Sequence, residues 1–488
     1  MPDNAEALDR PSAGLGSRAL RNTILILGAR VISRLITLVT VVAINKHLLA
    51  ARFGDFSTVN AVEALVVPIA LDFGFNILYQ REGARHPKEL ERYLQNLMSA
   101  RVFVSVFAVL IVWVALDPLA LTQYTLPAVV TMILASYSNL MRNTLYALQR
   151  LNWEAAGIVI ESALLLGLTV AGIYTHQGVA YFLWAYAASY AFDCVYFAVL
   201  LRVKNIVRFG WRLEMDFLRK WFWMGIPFTV IFVLTTVYWK VDVPILQFFR
   251  GSTEVGWYSI AYKPFESLLF VPITMLGVAF PVLAVYHTES QEKLRTAVTA
   301  FIKALVILGW PLSVGVFLMA APLGALVPGF YPQSAPALQV LALAYVFGFV
   351  NNAFIGALTA MDRQGTFAKA AGIAVMVNIV LNLILIPQFG FMAAAWNTVA
   401  TEIVLTGVGY WLTARHLGGL PLGSTVWRPI LAGLVMGAVL FPFRDVRGYA
   451  VVVVVAVAIA VYFGAVMALR TIDKDEMAFV RSAIRRRS

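Results

Sequence analysis

Long apolar runs that alternate with short polar loops extend through the whole sequence. A run of about 20 apolar residues can cross a bilayer as a helix. Runs of this kind occupy residues 23–44, 57–80, 95–116, 125–147, 154–174, 179–201, 221–241, 257–284, 298–320, 337–360, 367–387, 391–413, 427–443 and 449–469. Pro and Gly interrupt several of them, as membrane helices tolerate. The pattern predicts an all-α polytopic membrane protein with about 14 transmembrane helices.

The two halves of the chain repeat each other in two places. "FGDFSTVNA" (53–61) matches "VGWYSIAYK" (255–263), and "QGVAYFLWAYAAS" (177–189) matches "FGFMAAAWNTVAT" (389–401). Both matches join equivalent positions of predicted spans 1–6 and 7–12. Parallel six-helix repeats are a transporter plan in which the substrate path lies between the halves. We therefore expect two pseudo-symmetric six-helix lobes and two additional C-terminal helices.

Loop charge predicts the orientation and the domain boundaries. Most of the 38 Lys and Arg residues fall in segments on one side of the predicted membrane, and the positive-inside rule places that side and both termini in the cytoplasm. The predicted segments are a cytoplasmic tail 1–22, an N-lobe 23–201, a basic cytoplasmic linker 202–220, a C-lobe 221–415, a helix pair 427–469 and a basic cytoplasmic tail 470–488. We expect a multi-pass protein of the cytoplasmic (inner) membrane.

Composition supports this class and excludes others. Hydrophobic residues make up 60% of the chain and charged residues 13%, whereas soluble proteins carry roughly 25% charged residues. The net charge of +12 lies mainly in the loops, so we expect no nucleic-acid partner. Cys194 is the only cysteine and the five histidines are scattered. The sequence therefore predicts no intrachain disulfide, no metal centre and no cofactor.

Signatures of catalysis are missing from the sequence. It contains no HExxH motif, no Walker A motif and no Gly-rich nucleotide loop. The longest predicted outer loop, 321–336, has no charged residue, whereas a membrane glycan polymerase or ligase needs acidic catalytic residues outside the membrane. We expect a transporter rather than an enzyme. An ion gradient, the membrane potential or consumption of the substrate would then drive transport.

Cationic residues inside predicted spans indicate a binding cavity, because charge in a span usually faces a cavity or an opposite charge. Arg30 and Arg34 lie one helical turn apart in span 1. Arg34 is about 16 Å from the helix start, at mid-membrane, whereas Arg30 can also reach the interface. Lys263 in span 8 either faces the cavity or pairs with Glu266. We predict that Arg30, Arg34 and Lys263 form a cationic cavity that binds substrate.

Other polar residues in the spans leave structural and functional alternatives open. Glu161, Asp193 and Glu402 lie in spans 5, 6 and 12, and each either carries a proton or braces its helix. Asn378 and Asn382 share one face of span 11. These two amides either hydrogen-bond between helices or contact an ion or the substrate.

Lys240 and Asp242 end span 7. At that position they are typical of residues that anchor a helix at the membrane interface.

Four sequence motifs carry a resemblance to a known group of transporters. They are "RFGDFST" (52–58), "LDFGFNILYQRE" (71–82), "EVGWYSIAYKPFESL" (254–268) and "VNIVLNLILIPQFGFMAAAWNTVATEIV" (377–404). With them the chain resembles the multidrug/oligosaccharidyl-lipid/polysaccharide flippase superfamily. Within that superfamily it is most similar to the polysaccharide transporter branch, the O-antigen and exopolysaccharide flippases.

The resemblance implies a V-shaped pair of lobes around a central cavity and transport by alternating access. It implies that a polyprenyl-pyrophosphate-linked oligosaccharide moves from the inner to the outer leaflet, for lipopolysaccharide or other cell-surface polysaccharide synthesis. The implied partners are this lipid-linked glycan, membrane lipids and glycan assembly enzymes, and we expect a monomer. Related lipid II flippases carry cavity cations at places that match Arg34 and Lys263.

The resemblance also bears on coupling. Some relatives bind sodium through side chains of spans 7, 11 and 12, and Asp242, Asn378, Asn382 and Thr398 occupy comparable places here. The coupling ion stays open between Na⁺ and H⁺. A drug/cation antiporter of the same superfamily is the alternative function, although such a protein would need an acidic cavity. A membrane glycan polymerase or ligase is an alternative from a different class.

Overall fold

The computed structural model describes residues 13–471, so the predicted tail residues 1–12 and 472–488 lie outside the described residues. In chain order the helices are α1 (Ala13–Val67), α2 (Phe75–Arg85), α3 (Leu90–Leu116), α4 (Thr125–Ala147), α5 (Leu151–Tyr174), α6 (Val179–Val203), α7 (Met215–Lys240), α8 (Asp242–Arg250), α9 (Ser252–Leu268), α10 (Phe270–Glu289), α11 (Gln291–Leu326), α12 (Ser334–Ala342), α13 (Ala344–Ala360), α14 (Gln364–Phe389), α15 (Phe391–Leu417), α16 (Leu422–Leu440) and α17 (Ala450–Ala468). Short 3₁₀ and π-helical turns join some of them. Residues 13–471 contain no β-strand.

Each of the fourteen predicted runs falls on one helix or on two helices joined by a short break. Twelve helical segments of the described chain are long and apolar enough to cross a membrane. The first of them, Gly28–Asp72, overlaps two predicted spans, 23–44 and 57–80, because α1 continues through a break at Leu49, where the backbone leaves the helical conformation. Helix α4 is outside these twelve segments because polar residues, Arg142 among them, reduce its apolar character. The predicted all-α membrane fold is confirmed.

We call helices α1–α6 the N-lobe and helices α7–α15 the C-lobe, and the most extensive contact between these two groups joins α1 to α9. Helices α16 and α17 pack on the C-lobe along α11. Trp310 of α11 donates through its indole N–H to the carbonyl of Ile430, 3.0 Å away. Tyr462 of α17 donates to the carbonyl of Ile307, 2.8 Å away. Both bonds give a polar aromatic group a hydrogen-bond partner inside the protein and hold α16 and α17 against α11.

Two glycines that the internal repeat aligns bring the lobes into backbone contact. A Cβ atom on Gly54 would lie 1.8 Å from the carbonyl oxygen of Ser252, and one on Gly256 would lie 2.0 Å from that of Ala50. Only glycine fits at so close an approach. The Asn45 amide also donates to the carbonyl of Gly329, 2.7 Å away. The repeated motifs therefore build a contact between α1 and α9.

The chain between the lobes is fixed to the N-lobe. Backbone N–H groups of Arg208, Arg212 and Glu214 donate to side chains of α3, with donor–acceptor distances of 2.7 to 3.1 Å. The acceptors are Glu91, Ser99 and Asn96 in that order. Without them these extended residues would lack backbone partners. The predicted basic linker therefore packs on one face of α3.

Candidate functional site

A cavity of about 360 Å³ lies between the lobes. Helices α1 and α6 line it from the N-lobe, and α7, α8 and α9 line it from the C-lobe. Its charged lining residues are Arg34, Lys240, Asp242, Lys263 and Glu266. Its aromatic lining residues are Phe53, Phe56, Tyr186, Tyr190, Trp239, Tyr258 and Tyr262. Three cations against two carboxylates give the lining a net positive charge.

Arg34 is the cavity cation without a counter-charge. Its side chain is exposed, and no hydrogen bond or ion pair joins it to any described residue. Arg30, one turn earlier, donates to the hydroxyl of Tyr146 and lies 3.8 Å from the Glu154 carboxylate. The structure therefore places Arg34 in the predicted cavity, whereas Arg30 contacts α4 and α5 inside the N-lobe. The two arginines therefore have different neighbours, and the binding of substrate by both of them stays a prediction.

Glu266 bridges two lysines from different helices. Its Oε1 lies 2.8 Å from Nζ of Lys240, and its Oε2 lies 2.8 Å from Nζ of Lys263. Lys263 therefore pairs with Glu266 and also lines the cavity. Lys240, which we expected at the membrane interface, lines the cavity instead, because the carboxylate of the neighbouring helix gives its ammonium group a partner inside the protein.

The N-lobe interior contains an ionic group that the sequence did not reveal. Arg142 of α4 donates to Glu161 of α5 at 3.2 Å and to Asp193 of α6. Ser138 donates to the same Asp193 oxygen at 2.9 Å. Both predicted proton carriers of this lobe are thus paired with one guanidinium. Their partner lies in a different helix, so no local spacing in the sequence could indicate it.

The C-lobe carboxylate Glu402 has neutral partners. The Tyr238 hydroxyl donates to Oε1 and the Asn351 amide donates to Oε2, each at 2.6 Å. Glu402 is buried and has no cationic partner among the described residues. It lines a second cavity of about 290 Å³ within the C-lobe. A carboxylate in this setting is held by hydrogen bonds, but its charge is not balanced.

Asn378 and Asn382 point into the bundle rather than toward lipid. The Asn382 amide donates to Oδ1 of Asn378 at 3.1 Å, and the Asn378 amide donates to the Thr401 hydroxyl of α15 at 3.0 Å. Asn397, which sequence reasoning missed, donates to the Asn378 carbonyl at 2.9 Å. The Oδ1 atoms of Asn382 and Asn397 are buried and accept no hydrogen bond within the described chain.

Asp242 and Thr398 meet at a different point from these amides. The Tyr258 hydroxyl donates to Asp242 and lies 3.4 Å from the Thr398 hydroxyl. Thr398 neighbours Asn397 on α15, so the two groups of polar residues converge on the same helix. The contacts of the four predicted sodium ligands therefore fall into two adjacent groups rather than a single shell.

Comparison with known proteins gives one family match. The family described as "Polysaccharide biosynthesis protein" matches residues 19–287, more than half of the chain. The probable low-salt glycan biosynthesis flippase Agl15 of Haloferax volcanii is 24% identical over 227 residues, 46% of this chain and 48% of the relative. The probable flippase AglR of the same organism is 27% identical over 215 residues, 42% of this chain and 44% of the relative. The chain spans about half the length of these curated relatives.

Solved structures share the fold over most of the chain. The lipid II flippase MurJ in an inward closed conformation superposes with a TM-score of 0.72 at 14% identity, over 92% of this chain and 99% of that one. An inward-facing multidrug resistance transporter of the MATE family and the MOP superfamily superposes with a TM-score of 0.66 at 17% identity, over 82% and 99%. At these identities the likeness shows the fold.

Proposed function

Because the chain belongs to the polysaccharide biosynthesis protein family, we propose that it is a flippase for a polyprenyl-pyrophosphate-linked oligosaccharide. It moves this lipid from the inner to the outer leaflet by alternating access. The observation that carries the proposal is the cavity between the lobes, in which Arg34 has no partner among the described residues and Lys240 and Lys263 line the wall from the other lobe. The predominance of Lys and Arg in one set of loops supports cytoplasmic termini.

The cavity chemistry suits a pyrophosphate. A guanidinium presents a planar set of donors that matches phosphate oxygens bidentately, and an ammonium acts as a compact point charge. Arg34 comes from α1 and Lys263 from α9, so one anion between them would contact both lobes. The tyrosines of the lining offer hydroxyl groups and apolar faces to the first sugars. An anion bound by both lobes would couple the movement of each lobe to the substrate.

The proposal is tested by glycan display in cells whose own flippase has been deleted. Arg34→Ala and Lys263→Ala are expected to abolish display while the protein accumulates in the membrane normally. Arg52→Ala is the matched control, because Arg52 is an exposed arginine of the same helix α1 outside the cavity lining. Normal display in both cavity variants would remove the proposed mechanism of anion binding.

The fold also accommodates the antiporter alternative, because a multidrug transporter is among its structural neighbours. A cationic drug would meet Arg34, Lys240 and Lys263 in the cavity against Asp242 and Glu266. Like charges disfavour such a substrate. Efflux of a cationic dye by the parent protein that persists or rises in Arg34→Ala cells, together with unchanged glycan display, would favour the antiporter over the flippase.

A further inference from the structure

Glu266 occupies the place in the cavity where an anion would bind. Its two carboxylate oxygens each lie 2.8 Å from a lysine ammonium, one from α7 and one from α9. All three side chains line the cavity that also holds the unpaired Arg34. About 30% of the Glu266 side chain and similar fractions of the two lysine side chains are exposed. A ligand that enters the cavity can therefore reach all three groups.

We propose that Glu266 is an internal competitor for the anionic group of the substrate. It neutralises Lys240 and Lys263 while the cavity is empty and gives them up when a pyrophosphate binds. Through this exchange Glu266 sets the affinity of the cavity for anions and permits release. The proposal rests on the proposed flippase function, because that function defines the anion.

Charge balance gives the competition its physical basis. With Glu266 in place, the two lysines and this carboxylate carry a net charge of one, and without it they would carry two. Coulomb attraction for a multiply charged phosphate rises accordingly, and the rise is large where water is partly excluded. A site must bind well enough to load but weakly enough to unload. An unopposed set of cations would favour loading at the expense of release.

The side chains and the backbone are suited to such an exchange. A lysine ammonium on a flexible stem changes partners without the fixed two-point geometry of arginine. Pro264 lies two residues before Glu266 inside α9, and α9 ends at Leu268. Proline lacks a backbone N–H, so one helical hydrogen bond is missing just before Glu266. Just after Glu266 the hydrogen bonds of α9 end with the helix. This turn therefore has fewer backbone bonds to restrain it than the middle of a helix.

The test measures binding of inorganic pyrophosphate to the purified full-length protein by calorimetry at low salt. Glu266→Gln keeps the shape but removes the charge, and we expect pyrophosphate to bind roughly tenfold more tightly than to the parent. Glu266→Asp keeps the charge but is too short to contact both lysines, so an intermediate tightening is expected. Glu289→Gln is the control, because Glu289 pairs with Lys293 at an exposed site outside the cavity.

If Glu266 has only a structural role, the order of pyrophosphate affinities is reversed, and the parent binds more tightly than its Glu266 variants. If Glu266 only braces α7 against α9, its removal disorganises the lysines and weakens binding. Equal or weaker pyrophosphate binding by Glu266→Gln would therefore overturn the proposal. If that variant does not fold, the comparison of Glu266→Asp with the parent decides, and weaker binding by the aspartate variant has the same meaning.

Two further measurements separate this proposal from the function on which it rests. The same variants are also tested with a polyprenyl pyrophosphate in detergent, and Glu266→Gln should bind this lipid more tightly by the same factor as it binds free pyrophosphate. If only the free anion binds more tightly, Glu266 does not compete with the lipid headgroup and the proposal is overturned. Glycan display should fall in Glu266→Gln cells because release slows. If the parent protein does not restore glycan display in cells whose own flippase has been deleted, while Glu266→Gln still tightens pyrophosphate binding, the flippase proposal fails and the competition at the lysines stands.

Discussion

Two acidic sites inside the helix bundle, one in each lobe, satisfy their carboxylates in different ways. In the N-lobe, Arg142 contacts both Glu161 and Asp193, so a cation faces the carboxylates. In the C-lobe, Glu402 accepts from the hydroxyl of Tyr238 and from an amide, and no cation contacts it within the described chain. Burial without a cationic partner makes the charged form of a carboxyl group costly. Of these two sites, Glu402 is therefore the one at which an added cation or proton would have the larger effect.

The repeat preserves backbone contacts rather than side-chain chemistry. Gly54 and Gly256 are equivalent in the two halves, and each lies against the backbone of the other lobe. By contrast, the equivalent helices α5 and α6 of the N-lobe hold Glu161 and Asp193 beside Arg142, whereas α14 and α15 of the C-lobe hold an amide network around Asn378. Backbone approach constrains both copies alike because any added Cβ atom would collide. Polar side chains in the interior can diverge as long as each copy satisfies its own groups.

The largest expected effect tests this difference in charge balance. Arg142→Met removes the cation from two buried carboxylates, which we expect to destabilise the protein by about 3–5 kcal/mol. Glu402→Gln alters hydrogen bonds to neutral partners only, so we expect a loss of about 1 kcal/mol in the free energy of unfolding. The measurement is the thermal midpoint of the purified protein in detergent. Equal losses in the two variants would remove the contrast between the lobes.

A triple variant identifies the cause of the N-lobe loss. Glu161→Gln and Asp193→Asn together with Arg142→Met remove all three charges, and replacing a whole buried ionic group is often neutral for stability. Most of the lost thermal stability should therefore return. A triple variant as unstable as the single one would assign the loss to packing of the arginine side chain.

The length and position of the apolar runs were enough to predict the all-α membrane fold. Each span is long and local in sequence, and loop composition marks its ends, so the fourteen runs fall on the observed helices. The resemblance to the polysaccharide transporter branch is confirmed by the family match over residues 19–287. The sequence predicted a loop between residues 44 and 57, whereas the structure interrupts helix α1 only at Leu49, where the backbone has a positive φ that no neighbouring residue indicates.

The site was less accessible to sequence reasoning, because its contacts join distant helices. Arg30 and Arg34 differ by one turn, and the sequence could not show that α4 and α5 pack against the first while the second faces the cavity. Arg142 was missed because its partners lie in other helices. Lys240 was assigned to the interface because its position at a helix end is visible in sequence, whereas its partner Glu266 is not.

The effect of sodium on the thermal midpoint should also distinguish the two lobes. The unpartnered Oδ1 atoms of Asn382 and Asn397 are hard oxygen donors of the kind that bind alkali and alkaline-earth cations. We expect sodium to raise the thermal midpoint of the parent, by mass action equivalent to about 2.7 kcal/mol at a hundredfold excess over the dissociation constant. Asn382→Ala should erase this rise, and Arg142→Met should keep it. Choline at equal ionic strength is the control.

If the amides only brace α14 against α15, the result differs. Asn382→Ala then lowers the thermal midpoint by the same amount with and without sodium. A parent protein that shows no sodium-dependent shift would rule out the sodium site. A proton on Glu402, or the membrane potential, would then be the better account of coupling.

The smallest expected effect concerns the linker, which joins the lobes but is bonded to the N-lobe. The guanidinium of Arg92 holds the pKa of the Glu214 carboxyl at about 2, well below its ordinary value of 4.5. A depressed pKa means that the ion pair stabilises the fold above pH 4.5 and that this contribution is lost as the pH falls toward 2. Glu214→Gln should therefore lower the thermal midpoint slightly and equally between pH 5 and 7, because an exposed ion pair contributes little. The gap between parent and variant should close below pH 4.5, whereas a gap that widens in acid would contradict the assignment.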